Sequence, residues 1–299
     1  MEAEFVRWLR HRLDQRATTS IGDDAAIIDL AGQQLVVTTD ALSDGVDFHL
    51  CEVDPERIGR KALAVNLSDL AAMAAEPLAV VVTLTLPTRR GDDLLSLAQS
   101  LYEGMLPLAE EFGAPIVGGD TNIQDVPLVS SATVIGKVPP FGPRTRTGGR
   151  PGDRLLVTGT LGGSIFGHHL DFTPRVREAL QLNADYDLHA GMDISDGLAL
   201  DTSRLAEASG CGAVIDVQRV PISAAARTLD NPLSGALGDG EDFELLLALA
   251  PDVAPRVLKN QPLECGLTDI GELVEATGLW QRDGAGVRSP LEPTGWKHE

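Results

Sequence analysis

The chain is poor in aromatic residues and in lysine, and both shortages narrow what it can be. Seven Phe, three Trp and two Tyr make up 4% of 299 residues, so any hydrophobic core has to be aliphatic. Only 24 residues are Lys or Arg against 44 Asp or Glu, which leaves a formal charge of −20. A field of that sign repels phosphate polymers and anionic lipid headgroups. The composition therefore argues against nucleic-acid and membrane-surface partners.

The sequence also lacks the patterns typical of disulfides, of a zinc site and of a membrane span. The three cysteines, Cys51, Cys211 and Cys265, are odd in number, far apart and outside any CxxC spacing. Reduced, structural thiols explain them better than disulfides or a zinc site. The first residues lack the apolar core of a signal peptide, and no apolar run of about 18 residues is present. We therefore expect a cytoplasmic protein.

The common nucleotide-binding fingerprints are absent as well. The Gly136-Lys137 pair lacks the rest of a P-loop, no GxGxxG opens a helix after a strand, and the kinase HRD and DFG signatures do not occur. Gly118-Gly119 and Gly162-Gly163 are nevertheless places where backbone could approach an anion closely. With four lysines in the chain, bound phosphate would need metal ions for most of its neutralisation.

Periodicity predicts mixed helices and strands in two domains of similar size. Helices are expected at residues 2–14, 54–75, 92–112 and 198–208. Short apolar runs predict strands at 25–30, 35–39, 78–86, 116–117, 128–138, 155–158, near Met192, 213–217 and 243–249. The Pro- and Gly-rich stretch 138–153 is the best boundary. We place an N-terminal α+β domain at 1–138 and a C-terminal α/β domain at 139–299.

Aspartates stand beside Gly, Ser or Thr at the ends of several strand-like runs. These segments contain Asp23-Asp24, Asp40, Asp69, Asp120, Asp193 with Asp196, and Asp239 with Glu241. Each segment alone is explained by turn chemistry, which uses the same residue types. Together they suggest carboxylates that converge on one rim of a sheet, where a hard cation such as Mg²⁺ would offset their repulsion. Turns and a site for several Mg²⁺ ions both remain open on this evidence.

The order of these segments resembles that of the thiamine-monophosphate kinases, in the aminoimidazole ribonucleotide synthetase-like superfamily. The resemblance covers nearly the whole chain and is carried by IGDDAAII, TTDALSDGVDF, KALAVNLSDLAAM, GGDT, TRTGGRPGD, VTGT, DISDGLALD and GEDFELL. It implies a two-domain fold: a ferredoxin-like α+β domain that pairs its sheet with that of a second copy and binds Mg-ATP, followed by an α/β domain. It also implies in-line transfer of phosphate from ATP to thiamine monophosphate with several Mg²⁺ ions.

The resemblance further implies roles for individual residues. The metal-binding positions would be Asp24, Thr38, Thr39, Asp40, Asp69, Asp120, Asp193 and Asp196. The ATP contacts would be Gly119, Asp120, Arg146 and Ser195. The substrate contacts would be Asp47, Glu241 and Trp296, the last suited to stacking on a thiamine ring. Of these we expect Asp40, Asp120 and Asp196 to be catalytic.

Position 47 departs from the family pattern. Many relatives carry His there, whereas this chain has Asp47, with His49 two places later. Asp47 could pair with the cationic substrate, His49 could take that role by a shift, or Asp47 could be an ordinary solvated acid. Sister enzymes of the superfamily and a non-catalytic nucleotide-binding protein are the alternative functions. Because every acid that matches a metal-binding position is present in this chain, the non-catalytic alternative is disfavoured.

Overall fold

A computed structural model describes residues 4–6, 8–9, 22–88 and 93–296. The helix expected at 2–14 lies largely outside these residues, although those described between 4 and 9 are helical. Trp8 in this segment is 58% exposed and is not packed in a core of the described residues. Within the described residues, no helix has the length and apolar character that a bilayer crossing requires.

The first half of the chain forms a five-stranded sheet covered by two helices. Its strand order is β1-β2-β5-β3-β4, and only the β3–β4 pair is parallel. The strands are β1 (Ala26–Leu30), β2 (Gln33–Ser43), β3 (Glu76–Pro87), β4 (Ile116–Gln124) and β5 (Val129–Lys137). The helices are α1 (Pro55–Ala72) and α2 (Leu94–Glu111).

Local sequence explains where α1 begins and how closely it packs. The Asp54 side chain accepts from the Glu56 amide, and Pro55 occupies the first helical turn, as the sequence predicted. The helix ends at Ala72, three residues before the expected end. A Cβ on Gly59 would stand 1.8 Å from the Leu101 carbonyl oxygen of α2, so glycine is required for the two helices to touch. This contact holds α1 and α2 together on one face of the sheet.

The second half forms a seven-stranded mixed sheet with the order β12-β11-β8-β10-β6-β9-β7. Its strands are β6 (Arg154–Thr158), β7 (Leu188–Asp193), β8 (Gly212–Asp216), β9 (Leu245–Leu249), β10 (Leu267–Val274), β11 (Gly278–Arg282) and β12 (Arg288–Pro290). The helices are α3 (His168–Asp171), α4 (Val176–Asp185), α5 (Leu198–Ala208), α6 (Pro232–Gly238) and α7 (Ala254–Asn260). Periodicity anticipated β6 to β9 and α5 but not β10 to β12.

Helix α1 lies between the two sheets and is almost entirely buried. It packs on β2 and β5 of the first sheet and on α4 and β7 of the second half. One aliphatic core runs from Val36 in β2 to Leu267 in β10, and a second core lies within the C-terminal half. The expected boundary stretch, 138–153, connects β5 to β6. Side chains of α1 are therefore in a position to meet residues from both halves.

Candidate functional site

A cavity of about 1350 Å³ opens where α1 meets the second half. Its walls come from β2, the end of α1, the loop at Arg146, the β7–α5 loop, the loop before β9 and the C-terminal Trp296. Twelve of the sequence-predicted site residues line it: Asp24, Thr38, Thr39, Asp40, Asp47, Asp69, Arg146, Asp193, Ser195, Asp196, Glu241 and Trp296. Gly119 and Asp120 are not among its lining residues.

Three carboxylates converge at the cavity floor. Asp24 precedes β1, Asp69 lies in the last turns of α1 and Asp193 ends β7, and each offers an oxygen within 4.8 Å of the others. Thr38 Oγ1 donates to Asp69 Oδ2 at 2.5 Å, and Ser68 Oγ donates to Asp193 Oδ2 at 2.5 Å. The prediction that these acids converge is therefore confirmed for the three residues, but their expected place at strand ends is wrong for Asp69, which lies in a helix, and for Asp24, which lies in a loop.

Burial and mutual repulsion perturb this cluster. Desolvation, and then the charges of Asp40, Asp193 and Asp24, raise the pKa of Asp69 well above its ordinary value. Desolvation followed by the charge of Asp24 does the same to the pKa of Asp193, and the hydrogen bond from Ser68 opposes it. Asp69 and Asp193 in this state resist joint ionisation unless a cation joins them. The oxygen-only donor set is the one that Mg²⁺ prefers, so the residues fit that ion.

Asp40 stands beside the cluster on the helix-covered face of β2. Its backbone amide donates to Asn66 Oδ1 of α1 at 3.0 Å, which fixes the strand against the helix. Burial raises the pKa of Asp40, although a hydrogen bond with Asp69 opposes the shift, and the nearby acids add to it. Asp40 thus shares the electrostatic environment of the three clustered carboxylates.

Arg146 is the cation that faces the cluster. Its guanidinium contacts both oxygens of Asp24, at 2.5 and 3.3 Å, and its backbone amide donates to Asp23 Oδ1 at 2.7 Å. Burial works against its charge, but the Asp24 carboxylate outweighs burial and raises the pKa of Arg146 further. Arg146 and Asp24 therefore form a charged pair at the cavity wall.

The β7–α5 loop carries Ser195 and Asp196, and it is braced by two residues that the sequence analysis missed. Buried Asp201 accepts the backbone amides of Asp196 and Gly197 at 2.9 and 3.1 Å. Arg204 contacts the carboxylates of both Asp196 and Asp201. Burial, with the charge of Asp196, raises the pKa of Asp201 to about 7. The acid at the end of DISDGLALD was the sequence signal for this brace.

The candidate substrate residues line the same cavity. Asp47 Oδ2 accepts the Ser43 amide at 2.7 Å, while His49 is exposed and does not line the cavity. Glu241 pairs with Lys61 of α1, a residue that the sequence analysis left without a role. Trp296 is 53% exposed, and its backbone amide donates to the Asp196 carbonyl oxygen at 2.8 Å. That bond keeps Trp296 at the cavity, although the residue lies close to the end of the chain.

Two predicted groups point away from this cluster. Thr39 lies on the opposite face of β2 from Thr38 and Asp40, where Thr133 donates to its hydroxyl. Asp120 is in register with Thr83, Ser131 and Ala41, which places it on that same face and on edge strand β4. Three strand spacings, about 14 Å, separate β4 from β2. Within this chain, Gly119 and Asp120 do not join the three-acid cluster.

The backbone amides of Gly162 and Gly163 already donate to carboxylates of this chain. The Gly162 amide donates to Asp242 Oδ1 at 2.7 Å, and the Gly163 amide donates to Asp239 Oδ2 at 2.8 Å. The idea that this pair cradles phosphate is therefore wrong, because the carboxylates already occupy both donors. Instead, the contacts fasten the 162–163 turn to the loop that carries Glu241.

Comparison with known proteins places the chain among enzymes of one family. Residues 22–138 match the AIR synthase related protein, N-terminal domain, and residues 150–279 match the C-terminal domain. The thiamine-monophosphate kinase of Rhodopirellula baltica is 40% identical, covering 100% of this chain and 97% of its own length. The enzyme of that name from Escherichia coli K12 is 38% identical, covering 81% and 78% respectively.

Solved structures confirm the two-domain fold. AaThiL complexed with AMPPCP and TMP superposes with a TM-score of 0.85 at 29% identity, covering 99% of this chain and 96% of that one. The Aquifex aeolicus thiamine monophosphate kinase gives a TM-score of 0.80 at 26% identity, covering 96% and 98%. Escherichia coli HypE, a hydrogenase maturation protein, shares the fold at 22% identity and a TM-score of 0.73, covering 97% and 96%. The chain belongs to the thiamine-monophosphate kinase family of AIR synthase-related proteins.

Proposed function

We propose that this protein transfers the terminal phosphoryl group of ATP to thiamine monophosphate, giving thiamine diphosphate and ADP. One observation carries the proposal: a single cavity combines a clustered carboxylate site with Asp47, Glu241 and Trp296. The full-length relationship to thiamine-monophosphate kinases supports it, as does the match to a protein complexed with AMPPCP, a non-hydrolysable ATP analogue, and TMP.

The acceptor is a phosphate monoester, whose second pKa of about 6 makes it a competent nucleophile at neutral pH. One of its oxygens attacks the γ-phosphorus in line, and the bond from that phosphorus to the β–γ bridging oxygen breaks. No covalent intermediate on the protein is required. The task of the residues is to hold two anions together in the reactive orientation.

The metal-binding roles follow the donor set. Asp24, Asp69 and Asp193 would bind Mg²⁺, with Asp40, Asp196 and Thr38 beside them. When bound, Mg²⁺ neutralises phosphate oxygens and stabilises charge on the transferring group. Arg146 and Ser195 are the candidate ATP contacts, and Asp40 and Asp196 the candidate catalytic acids on this chain. Asp47, Glu241 and Trp296 would contact the thiamine. Of the two candidates Asp47 and His49, we favour Asp47 as the substrate contact because it lines the cavity and His49 does not.

We further propose that the chain acts as a homodimer in which the first sheets of two copies pair. Residues 1–138 would then form a dimerisation and Mg-ATP-binding domain, and residues 139–299 would complete the site. Support comes from the face of that sheet opposite α1 and α2, where Ile28 and Leu30 are 44% and 55% exposed. Thr39, Gly119 and Asp120 would serve metal and ATP from that side or its edge. Unpaired Cys51, Cys211 and Cys265 suit the reducing cytoplasm, where we place the reaction.

The experiment is incubation of the purified protein with ATP, Mg²⁺ and thiamine monophosphate, followed by chromatography for thiamine diphosphate. We expect stoichiometric thiamine diphosphate and ADP, and none when EDTA removes Mg²⁺. Asp40→Asn is expected to lower turnover by orders of magnitude without unfolding the protein. Turnover of an aminoimidazole precursor or of selenide in place of thiamine monophosphate would overturn the assignment.

A further inference from the structure

Lys61 is a fully buried cation behind the candidate substrate residues. It lies in α1 with 0% of its side chain exposed, and its ammonium stands 2.5 Å from Glu241 Oε1. The same ammonium donates to the backbone carbonyl oxygen of Asp47 at 2.9 Å. A lysine is rarely buried to this extent unless its charge is paired. Lys61 therefore touches both acidic positions that we assign to the thiamine substrate.

These contacts connect three separate parts of the chain. Lys61 comes from the helix between the sheets, Asp47 from the loop after β2, and Glu241 from the loop before β9. The Glu241 backbone amide donates to the Ser195 carbonyl oxygen at 2.6 Å, and its φ is +54°, a conformation that non-glycine residues rarely adopt. Such a residue persists only when its surroundings hold it in place. Ser195 fixes the backbone of Glu241, and Lys61 fixes its carboxylate.

The pairing leaves Glu241 accessible and Lys61 inaccessible. The Glu241 side chain is 34% exposed and lines the cavity, whereas Lys61 is sealed behind it. Neighbouring His169 is also buried, and its ring contacts the Ser164 carbonyl oxygen. Burial lowers the pKa of His169, the hydrogen bond to the Ser164 carbonyl oxygen opposes that shift, and the charge of Lys61 adds to it. Lys61 is thus the cation that Glu241 pairs with, and it can act on a ligand only through Glu241 and the Asp47 loop.

We infer that Lys61 is the positioning residue for the thiamine end of the substrate. It holds the Glu241 carboxylate at the cavity wall, where that group attracts the cationic ring, and it holds the Asp47 loop against the same wall. This inference rests on the proposed function, because it assumes that thiamine monophosphate occupies this part of the cavity. It predicts that loss of Lys61 weakens recognition of thiamine monophosphate and leaves recognition of ATP intact.

Steady-state kinetics of Lys61→Met, Lys61→Arg and the exposed-site control Lys259→Met test the inference. Hydrogen-bond partners of metal ligands commonly contribute about 10- to 100-fold to affinity or activity, and by analogy we expect the KM for thiamine monophosphate to rise by about that factor in Lys61→Met. The KM for ATP should stay within about twofold of wild type, with Lys61→Arg in between and Lys259→Met unchanged. A wild-type KM for thiamine monophosphate in Lys61→Met, or equal rises for both substrates, would overturn it. Failure of the proposed function is seen separately, as absence of turnover by the wild-type protein.

A second measurement needs no folded Lys61 variant. The chain has four lysines, so the side-chain signals of ¹⁵N- and ¹³C-lysine-labelled protein can be assigned with Lys137→Arg, Lys259→Arg and Lys297→Arg, and the signal that remains in all three variants belongs to Lys61. Saturation with thiamine monophosphate should shift the Lys61 side-chain signal and leave that of Lys259 in place. An unmoved Lys61 signal under saturating thiamine monophosphate would refute the positioning role.

Discussion

Replacing Asp69 by Asn should stabilise the metal-free protein while removing its response to Mg²⁺. Asp69 offers an oxygen within 4.8 Å of oxygens on both Asp24 and Asp193. At 4.8 Å, two unit charges repel by about 3.5 kcal/mol at an effective dielectric constant of about 20. Partial protonation in the native protein relieves some of this repulsion, so we expect a gain of about 1 to 3 kcal/mol in unfolding free energy. For a chain of this size that corresponds to a rise in Tm of about 2 to 6 °C.

The pH dependence has a definite sign. The pKa values of Asp69 and Asp193 are raised above their ordinary value of 3.8, so both acids ionise more easily in the unfolded chain. Their contribution to stability is therefore complete below that value and is lost as pH rises through the raised pKa. In EDTA, wild-type Tm should fall as pH rises from acidic to neutral, and Asp69→Asn should fall less. Mg²⁺ should remove most of this pH-dependent fall in the wild-type Tm, because it neutralises the ionised carboxylates.

The assay is thermal unfolding in EDTA and in Mg²⁺ across this pH range, with Asp252→Asn as the matched control. Asp252 is an exposed acid outside the cavity, so its variant removes one negative charge without touching the cluster. The control should match wild type in both conditions. An Asp69→Asn protein that melts below wild type in EDTA and keeps the full Mg²⁺ shift would refute the repulsion argument.

Three further outcomes follow from the same structure. Arg146→Gln deprives Asp24 of its charged partner, so it should lower the Tm in EDTA and enlarge the rise in Tm that Mg²⁺ causes. It should also raise the KM for ATP by about tenfold or more. An unchanged Tm in EDTA would contradict the pairing. Trp296→Ala should raise the KM for thiamine monophosphate by about tenfold while Trp296→Phe keeps it near wild type, because stacking needs only an aromatic face; equal effects of both variants would exclude stacking. Sedimentation equilibrium should give twice the chain mass of 31.6 kDa, and Ile28→Lys, on the open face of the first sheet, should return the protein to monomers; a wild-type monomer would exclude the dimer.

Local features of this fold were readable from the sequence where neighbouring residues decide the outcome. The Asp54-Pro55-Glu56 run predicted the start of α1, because an N-cap acid and a proline in the first turn act within a few residues. The run 78–86, rich in the β-branched residues Val and Thr, predicted β3 for the same local reason. Strands β10 and β11 escaped prediction, and both pair with strands distant in sequence, β10 with β6 and β8 and β11 with β8. Strand β12 pairs locally with β11 but has only 3 residues, too few for a periodic pattern.

The sequence by itself determined which chemical groups the protein contains: many acids beside small residues, few cations, aliphatic residues for the cores, and family motifs along most of the chain. Which acids meet was decided only by the tertiary structure. Asp24, Asp69 and Asp193 converge because a loop, a helix and a strand end are packed together, whereas the alternation of side chains along β2 and the strand order turn Thr39 and Asp120 to the other face. Lys61 shows the same limit most clearly: it reads as one residue of an apolar helix, and its role exists only because α1 is buried between two sheets beside Glu241.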